Sequence, residues 1–219
     1  MATTEELRAI AAQLAHPDGD TGRSIARMMD ETNIGMTTHA FQSLNMLAEQ
    51  AILEVGHGNA GHLAALFEQH PQIHYTGLER SSCMHKEAIT TNESVIREGN
   101  ARFFLYDGNE MPFVDQKFDA IFSVNTVYFW DNAPDFLGKL GALLKEDGKI
   151  AISFADKAFM ETLPFTNFGF KLYAEPDMLT LADPTQLRHL ETLPMVENVT
   201  NKLGETVERK FFTIIWQKI

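Results

Sequence analysis

The chain has 219 residues, 44% hydrophobic and 22% charged, which predicts one globular domain with a full core. The net charge of −12 disfavours binding to a nucleic-acid backbone, and the single cysteine, Cys83, excludes an intrachain disulfide. The acidic N-terminus and the lack of a long apolar run predict a cytoplasmic protein with no signal peptide and no membrane contact.

Three amphipathic helices are predicted before the first strand. The first starts near Thr3, whose spacing to Glu6 is typical of a capping box, and it ends at the turn 16–19. A second helix is expected from about Gly22 to Glu31, and a third from near Thr37. On the residues alone, these helices cover one face of the sheet that follows.

Residues 51–63, AILEVGHGNAGHL, predict a buried strand, a glycine-rich turn and the start of a helix. Gly56, Gly58 and Gly61 have the spacing of a dinucleotide-binding turn, which aims backbone N–H groups at a ligand. Glu54 lies two residues before the first glycine, where a carboxylate would repel the pyrophosphate of a dinucleotide. The order therefore favours a positively charged ligand.

This acid-x-Gly-x-Gly order resembles the first motif of the class I methyltransferases, which bind S-adenosylmethionine. That cofactor has no phosphate, and its methionine part carries an ammonium and a sulfonium. The resemblance implies that the methionine part is held by Glu54, Gly56 and Gly58, with His57 and Asn59 beside it. It also implies that the leading helices close over the cofactor and help to build an acceptor pocket. The sequence departs from the motif at Ala60, where a third glycine is usual.

The second strand is predicted to end at Glu79, at about the distance from Gly61 that suits an acid binding both ribose hydroxyls. Arg80 follows and is included in the predicted cofactor site. A helix is expected over Met84 to Arg97, and a third strand over Ala101 to Tyr106.

After that strand, the run Asp107-Gly108-x-x-x-Pro-Phe resembles the adenine-binding loop of small-molecule methyltransferases. The resemblance implies that Asp107 accepts a hydrogen bond from the adenine amino group, with Gly108 beside it.

The fourth strand is predicted over Lys117 to Val124, because strands buried on both faces of a parallel sheet read as nearly continuous apolar runs. Asn125 follows at the carboxyl edge, where ligands of open α/β sheets bind, and the resemblance places it beside the methionine part. The aromatic run that follows includes Tyr128, the member first expected in the pocket. No clear catalytic base emerges, and the candidates are Tyr128, His39 and His57.

The remaining elements complete a doubly wound α/β fold with a mostly parallel seven-stranded sheet and a C-terminal antiparallel hairpin. They are a helix 136–144, a strand 149–154, a helix 176–189 and a hairpin of 195–202 and 211–217 with its turn at 203–204. The aromatic segment 163–173, together with the run 125–130, resembles methyltransferases of the ubiquinone/menaquinone-biosynthesis type and implies one wall of an acceptor pocket. The predicted single domain, 1–219, comprises a helical cap 1–50, a cofactor-binding core 51–155, an acceptor-side segment 156–192 and the hairpin 193–219.

The sequence thus predicts S-adenosylmethionine-dependent methyl transfer to a small-molecule acceptor by in-line displacement. An NAD(P)-dependent oxidoreductase using the same turn and a non-catalytic cofactor-binding protein are the alternatives. No metal site is expected, because the eight histidines lack companion ligands at useful spacing. The acceptor and the oligomeric state do not follow from the sequence.

Overall fold

The computed structural model describes residues 2–200 and 206–219 of the chain. The strands in these residues are β1 Ala51–Val55, β2 His74–Glu79, β3 Ala101–Leu105, β4 Phe118–Val124, β5 Leu144–Ala155, β6 Leu187–Thr200 and β7 Thr206–Lys218. The α-helices are α1 Thr4–Ala15, α2 Gly19–Ser43, α3 Leu63–Gln69, α4 Ser82–Thr91, α5 Glu93–Arg97, α6 Ala133–Ala142, α7 Lys157–Met160 and α8 Glu175–Thr180. Two short 3-10 turns lie at Val127–Phe129 and Pro164–Asn167.

All seven of these strands belong to one sheet in the order β3-β2-β1-β4-β5-β7-β6. β1 runs parallel to β2 and β4, whereas β7 runs antiparallel between β5 and β6. This confirms the predicted mostly parallel sheet with a C-terminal antiparallel hairpin. The turn predicted at Leu203–Gly204 lies outside the described residues. The carboxyl ends of β1 to β4 meet at one edge, which is the edge where open α/β sheets bind ligands.

Helices cover both faces of the sheet, because alternate residues of each strand point to opposite sides. Ile52 of β1 packs with Phe41 of α2 and Leu63 of α3, whereas its neighbour Leu53 belongs to a core with Leu137 of α6. Within residues 2–200 and 206–219, none of the helices combines the length and apolar composition needed to cross a membrane.

The long helix α2 corrects the prediction of two separate helices at about 22–31 and from near Thr37. It runs unbroken for 25 residues through a stretch of low helix propensity. Within the helix, the Thr32 hydroxyl donates to the Met28 carbonyl at 2.9 Å, and Arg209 of β7 donates to the Thr32 carbonyl at 2.6 Å. Its C-terminal half buries Phe41 against the sheet. The tertiary contacts made by Arg209 and Phe41 outweigh the local preference for a break.

Two other predicted helices were wrong in extent. The helix expected over 84–97 is divided at Asn92, whose side chain donates to the carbonyls of Ala88 and Ala60. The helix expected over 176–189 is only α8, and β6 already begins at Leu187, which pairs with Lys218. The hairpin therefore starts earlier than the predicted boundary at residue 193.

Candidate functional site

The glycine-rich loop follows β1 directly and passes through backbone conformations that favour glycine. Gly56 and Gly58 have φ angles of +77° and +58°. A Cβ at Gly56 would collide with the Thr126 side chain, so this part of the loop lies close against the end of β4. A Cβ at Gly58 would meet no atom within 4 Å. The loop therefore has one packed side and one side that opens on free space.

Glu79, at the end of β2, is joined to this loop by one hydrogen bond and to the residues that follow it by two more. Its Oε2 accepts from the Gly58 N–H at 3.0 Å, and its Oε1 accepts from the N–H groups of Arg80 and Ser81 at 2.8 Å each. The side chain is buried, and burial raises the pKa of Glu79 despite these three hydrogen bonds. The structure thus places the predicted ribose-binding acid against the loop.

Glu54, within β1, is buried and hydrogen-bonded in a cluster of polar side chains. Its Oε2 accepts from the Tyr75 hydroxyl at 2.6 Å and lies 2.8 Å from His62 Nε2. Burial acts to raise the pKa of Glu54, but the charge of His62 and the hydrogen bonds from His62 and Tyr75 outweigh it and hold that pKa below its usual value. Glu54 is therefore a buried carboxylate with an imidazole and a hydroxyl as hydrogen-bonding neighbours, an arrangement that was not predicted from the sequence.

His57 and Asn59 shape the loop through their side chains. The His57 ring is buried against Gly77 and lies 4.9 Å, centroid to centroid, from the ring of Phe103. Neither ring nitrogen has a hydrogen-bond partner within the described chain, and burial lowers the pKa of His57 to about 4. The Asn59 side chain accepts from the Gly61 N–H at 3.0 Å. The His57 side chain is thus a neutral packing group, which does not support its use as a catalytic base.

Asp107 and Gly108 form a tight turn after β3. Asp107 Oδ1 accepts from the N–H groups of Glu110 and Asn109 at 2.8 Å each, and these bonds lower the pKa of Asp107. Gly108 has a φ of +99°, and a Cβ there would come within 3.7 Å of the Arg80 guanidinium. The predicted adenine-side residues therefore lie next to the residue that follows Glu79.

Asn125 connects the end of β4 to α2 and to β5. Its φ is +56°, a left-handed conformation that asparagine tolerates better than most residues. Its side-chain amide donates to Asn33 Oδ1 at 3.2 Å and contacts Met36 Sδ at 3.4 Å. Its Oδ1 accepts from the Ala155 N–H at 3.2 Å. The predicted position near the methyl group is thus where α2 crosses the edge of the sheet.

The two remaining catalytic candidates are Tyr128, whose hydroxyl donates to Asn125 Oδ1 at 3.0 Å, and His39. The Tyr128 hydroxyl is buried and accepts from the Ala155 N–H at 2.7 Å, and burial raises the pKa of Tyr128. His39 Nδ1 lies 2.9 Å from the Thr213 hydroxyl, and its ring packs edge-on against Phe211. His39 therefore faces β7 rather than the glycine-rich loop, and Tyr128 braces the ends of β4 and β5. The structure supports neither as a base.

Asp30 and Asn33 form a polar stripe on α2 that faces the site and was not predicted from the sequence. Asp30 lies against Gly61 of the loop, and Asn33 accepts from both Asn125 and Arg209. Arg209 is buried and also donates to Glu197 of β6 at 2.7 Å and 3.0 Å. Asp30, Asn33 and Met36 are spaced by three residues, so one continuous helix would have revealed them as a face.

The predicted residues form a continuous line along the carboxyl edge, from the end of β4 through the loop and Glu79 to Arg80 and Gly108. His39 lies outside this line. Across residues 2–200 and 206–219, no three His, Cys, Asp or Glu side chains are grouped as metal ligands.

Comparison with known proteins indicates methyl transfer as the reaction. Residues 52–148 match the family described as "Methyltransferase domain". The chain is 23% identical over 164 residues to O-methyltransferase rstn1 from Aspergillus nomiae, covering 74% of this chain and 72% of that protein. In structure, it is similar to a chain from the Haloferax volcanii complex of the Trm112 methyltransferase activator with a methyltransferase, with TM-score 0.75, 14% identity and 99% coverage of both chains.

Another solved structure is geranyl diphosphate C-methyltransferase from Streptomyces coelicolor, which contains Mg²⁺, geranyl diphosphate and S-adenosyl-L-homocysteine. It has a TM-score of 0.69 and 10% identity, and the match covers 95% of this chain and 88% of that chain. The low identity means that both structural likenesses concern the fold alone.

The residues present fit S-adenosylmethionine better than a dinucleotide. The open space beside Gly58 is bordered by the Glu79 carboxylate, and a second carboxylate, Glu54, lies just before the loop. Carboxylates at these two places suit ribose hydroxyls and a cationic methionine part, and they disfavour a pyrophosphate. The sequence motif, the fold and the match over residues 52–148 agree, and together they support a methyltransferase with S-adenosylmethionine as its cofactor.

Proposed function

We propose that this enzyme methylates a small apolar or planar molecule, and that it binds the cofactor along the line from Asn125 to Gly108. The observation that supports the proposal is the hydrogen bond between Glu79 and the glycine-rich loop, because the acid proposed to bind the ribose then lies beside open space. In this assignment Glu54 and Gly56 hold the methionine part, Glu79 the ribose, and Asp107 the adenine.

The protein's contribution to the reaction is mainly alignment. S-adenosylmethionine supplies a methyl group on a good, neutral leaving group, and orientation of bound reactants lowers a barrier by roughly 7–11 kcal/mol. In this assignment Asn125 and Met36 border the reacting end, which is supported by the contacts that join Asn125, at the end of β4, to α2. We assign no catalytic base among the three candidates, because His39 lies against Thr213 of β7, the His57 ring is a neutral packing group, and burial raises the pKa of Tyr128.

The acceptor side is aromatic, which supports an apolar or planar substrate. The Phe170 ring lies 4.6 Å from Phe129 and 5.8 Å from Phe165, measured between centroids, and all three rings are partly buried. Next to them, the Arg8 guanidinium of α1 lies 5.1 Å from the ring of Phe168. The relative rstn1 is an O-methyltransferase, so a hydroxyl is the first acceptor atom to test.

Calorimetry with S-adenosylhomocysteine tests the cofactor assignment. Glu79→Gln and Asp107→Asn each remove a charged hydrogen-bond acceptor, and we expect each to weaken binding by about 10- to 100-fold. Glu93→Gln is the matched control, because Glu93 is an exposed acid on α5 whose side chain is 75% accessible.

Two results would count against the assignment. One is tight binding of NADH with no response to S-adenosylhomocysteine, which would favour the oxidoreductase. The other is binding of S-adenosylhomocysteine that is unaffected by either substitution. Incubation with S-adenosylmethionine and a panel of phenols and other hydroxylated aromatics then tests the acceptor class, with methylated product measured by mass spectrometry.

A further inference from the structure

The buried polar group around Glu54 contains two residues to which the proposed function gives no role, His62 and Tyr75. His62 lies just before α3 and Tyr75 lies on β2, so three different elements converge on one carboxylate. Glu54 is 3% exposed, His62 8% and Tyr75 1%. Such burial of charged and polar groups is costly unless they satisfy one another, which the short contacts here achieve.

Both contacts are made to the same oxygen of Glu54. The Tyr75 hydroxyl and His62 Nε2 lie 2.6 Å and 2.8 Å from Oε2. No residue of the described chain donates a hydrogen bond to Oε1. The carboxylate is therefore fixed in orientation through Oε2, and Oε1 has no hydrogen-bond donor among the described residues.

His62 also faces a second acid. Asp30 of α2 lies against Gly61, the residue before His62. Burial acts to lower the pKa of His62, but the charges of Glu54 and Asp30 outweigh it and raise that pKa above its usual value. The titratable groups facing His62 are Glu54 of β1, Asp30 of α2, Tyr75 of β2 and His57 of the loop, with His85 of α4 acting on His57.

We propose that Tyr75 and His62 are positioning residues that present the free oxygen of Glu54 to the ammonium of the cofactor, and that cofactor binding expels a proton from His62. The inference rests on the proposed function, because it requires the cofactor's methionine part to lie at Glu54. A cation arriving beside an imidazolium is repelled, whereas neutral imidazole still donates a hydrogen bond to Glu54. Binding and loss of the proton are therefore coupled, and each favours the other.

The coupling has a definite sign. Because the bound state holds fewer protons than the free protein, affinity rises with pH while His62 of the free protein is protonated. Since the usual pKa of histidine is about 6.5 and that of His62 is raised, the rise is expected above pH 6 and levels off once His62 is neutral.

Calorimetry of S-adenosylhomocysteine binding in phosphate and in Tris at pH 7 counts the protons released, because the two buffers take up protons with different enthalpies. We expect the wild type to release a measurable fraction of a proton and to bind at least about threefold more tightly at pH 8 than at pH 6. His62→Gln keeps a hydrogen-bond donor but cannot titrate, so both effects should disappear. The ligand's own amine contributes equally to both proteins and cancels in the difference. His74→Gln, an exposed histidine on β2, is the matched control and should behave as wild type.

Tyr75→Phe separates orientation from charge. It removes one hydrogen bond to Glu54, and we expect affinity to fall about tenfold while proton release persists. If wild type and His62→Gln release the same number of protons on binding, the inference is overturned. Loss of proton release in His74→Gln would overturn it as well. Should His62→Gln fail to fold, wild type alone decides, because binding without proton release also overturns it. A wild type that binds no S-adenosylhomocysteine at any pH overturns the proposed function itself.

Discussion

Ala60 occupies a backbone conformation that is unfavourable for a residue with a Cβ. Its φ is +51° and its side chain is fully buried. Its N–H donates to the His57 carbonyl at 3.0 Å, and its carbonyl accepts from the Asn92 side chain at 3.1 Å. Because both backbone groups are held, the residue cannot relax, and the left-handed conformation costs about 1–2 kcal/mol.

Ala60→Gly should relieve this backbone strain but should also remove two contributions to the free energy of unfolding. Removing the buried methyl group costs about 0.8 kcal/mol, and the greater freedom of glycine in the unfolded chain costs about 0.4–1 kcal/mol. These losses balance the relief, so the free energy of unfolding should change by less than about 1 kcal/mol. Ala88→Gly is the matched control, because Ala88 is equally buried but lies inside α4. With no strain to relieve, Ala88→Gly should lower the free energy of unfolding by about 1.3–1.8 kcal/mol.

Urea denaturation followed by circular dichroism measures both changes. The expected result is a clear loss for Ala88→Gly and almost none for Ala60→Gly. Equal losses in the two variants would refute the reasoning, because they would mean that alanine fits the loop without strain. Unchanged binding of S-adenosylhomocysteine by Ala60→Gly would further show that the departure from the usual third glycine leaves the loop functional.

Two further predictions concern buried charge. Arg209→Met removes the donors to Glu197 and α2 and leaves a carboxylate without its partner, so the free energy of unfolding measured in urea should fall by about 3 kcal/mol. The exposed pair Arg97–Glu93 gives the control, because Arg97→Met should change the free energy of unfolding by less than about 1 kcal/mol. An equally small loss for Arg209→Met would contradict the role of Arg209 in holding Glu197 and α2 together. His57 has a pKa lowered to about 4 in the folded state, so its contribution to stability is complete above about pH 6.5 and is lost as pH falls towards 4. Between pH 7 and pH 5, the free energy of unfolding measured in urea should therefore fall by about 2 kcal/mol less for His57→Phe than for wild type. An equal fall in both proteins would show that His57 is not buried as a neutral ring.

The sequence predicted the parallel core of the fold because its signals are local. Strands such as β1 and β4 are buried on both faces and read as apolar runs, and glycine spacing marks the loop between β1 and α3. The link between Glu79 and the loop followed from their separation along the chain. By contrast, α2 was divided incorrectly because Thr32, Asn33 and Gly35 are weak helix formers, and the contact with Arg209 that sustains the helix comes from 177 residues away.

The surroundings of Glu54 could not be predicted for the same reason. The sequence indicated a lone carboxylate before the first glycine, but its partners are set by tertiary structure. Tyr75 reaches it from the neighbouring strand, and His62 from the far end of the loop. A histidine or tyrosine in these segments has no sequence signal that separates a charge partner from an ordinary core residue. A cationic ligand at this loop would therefore meet the combined field of Glu54 and His62.

A crystal structure of the protein with S-adenosylhomocysteine tests the central claim most directly. The account predicts that the ligand lies along the carboxyl edge of the sheet, with its ribose hydroxyls on Glu79, its adenine beside Asp107 and its ammonium within hydrogen-bond distance of Glu54 Oε1. A ligand found elsewhere on the chain, or one lying over the loop with its ammonium turned away from Glu54, would contradict it.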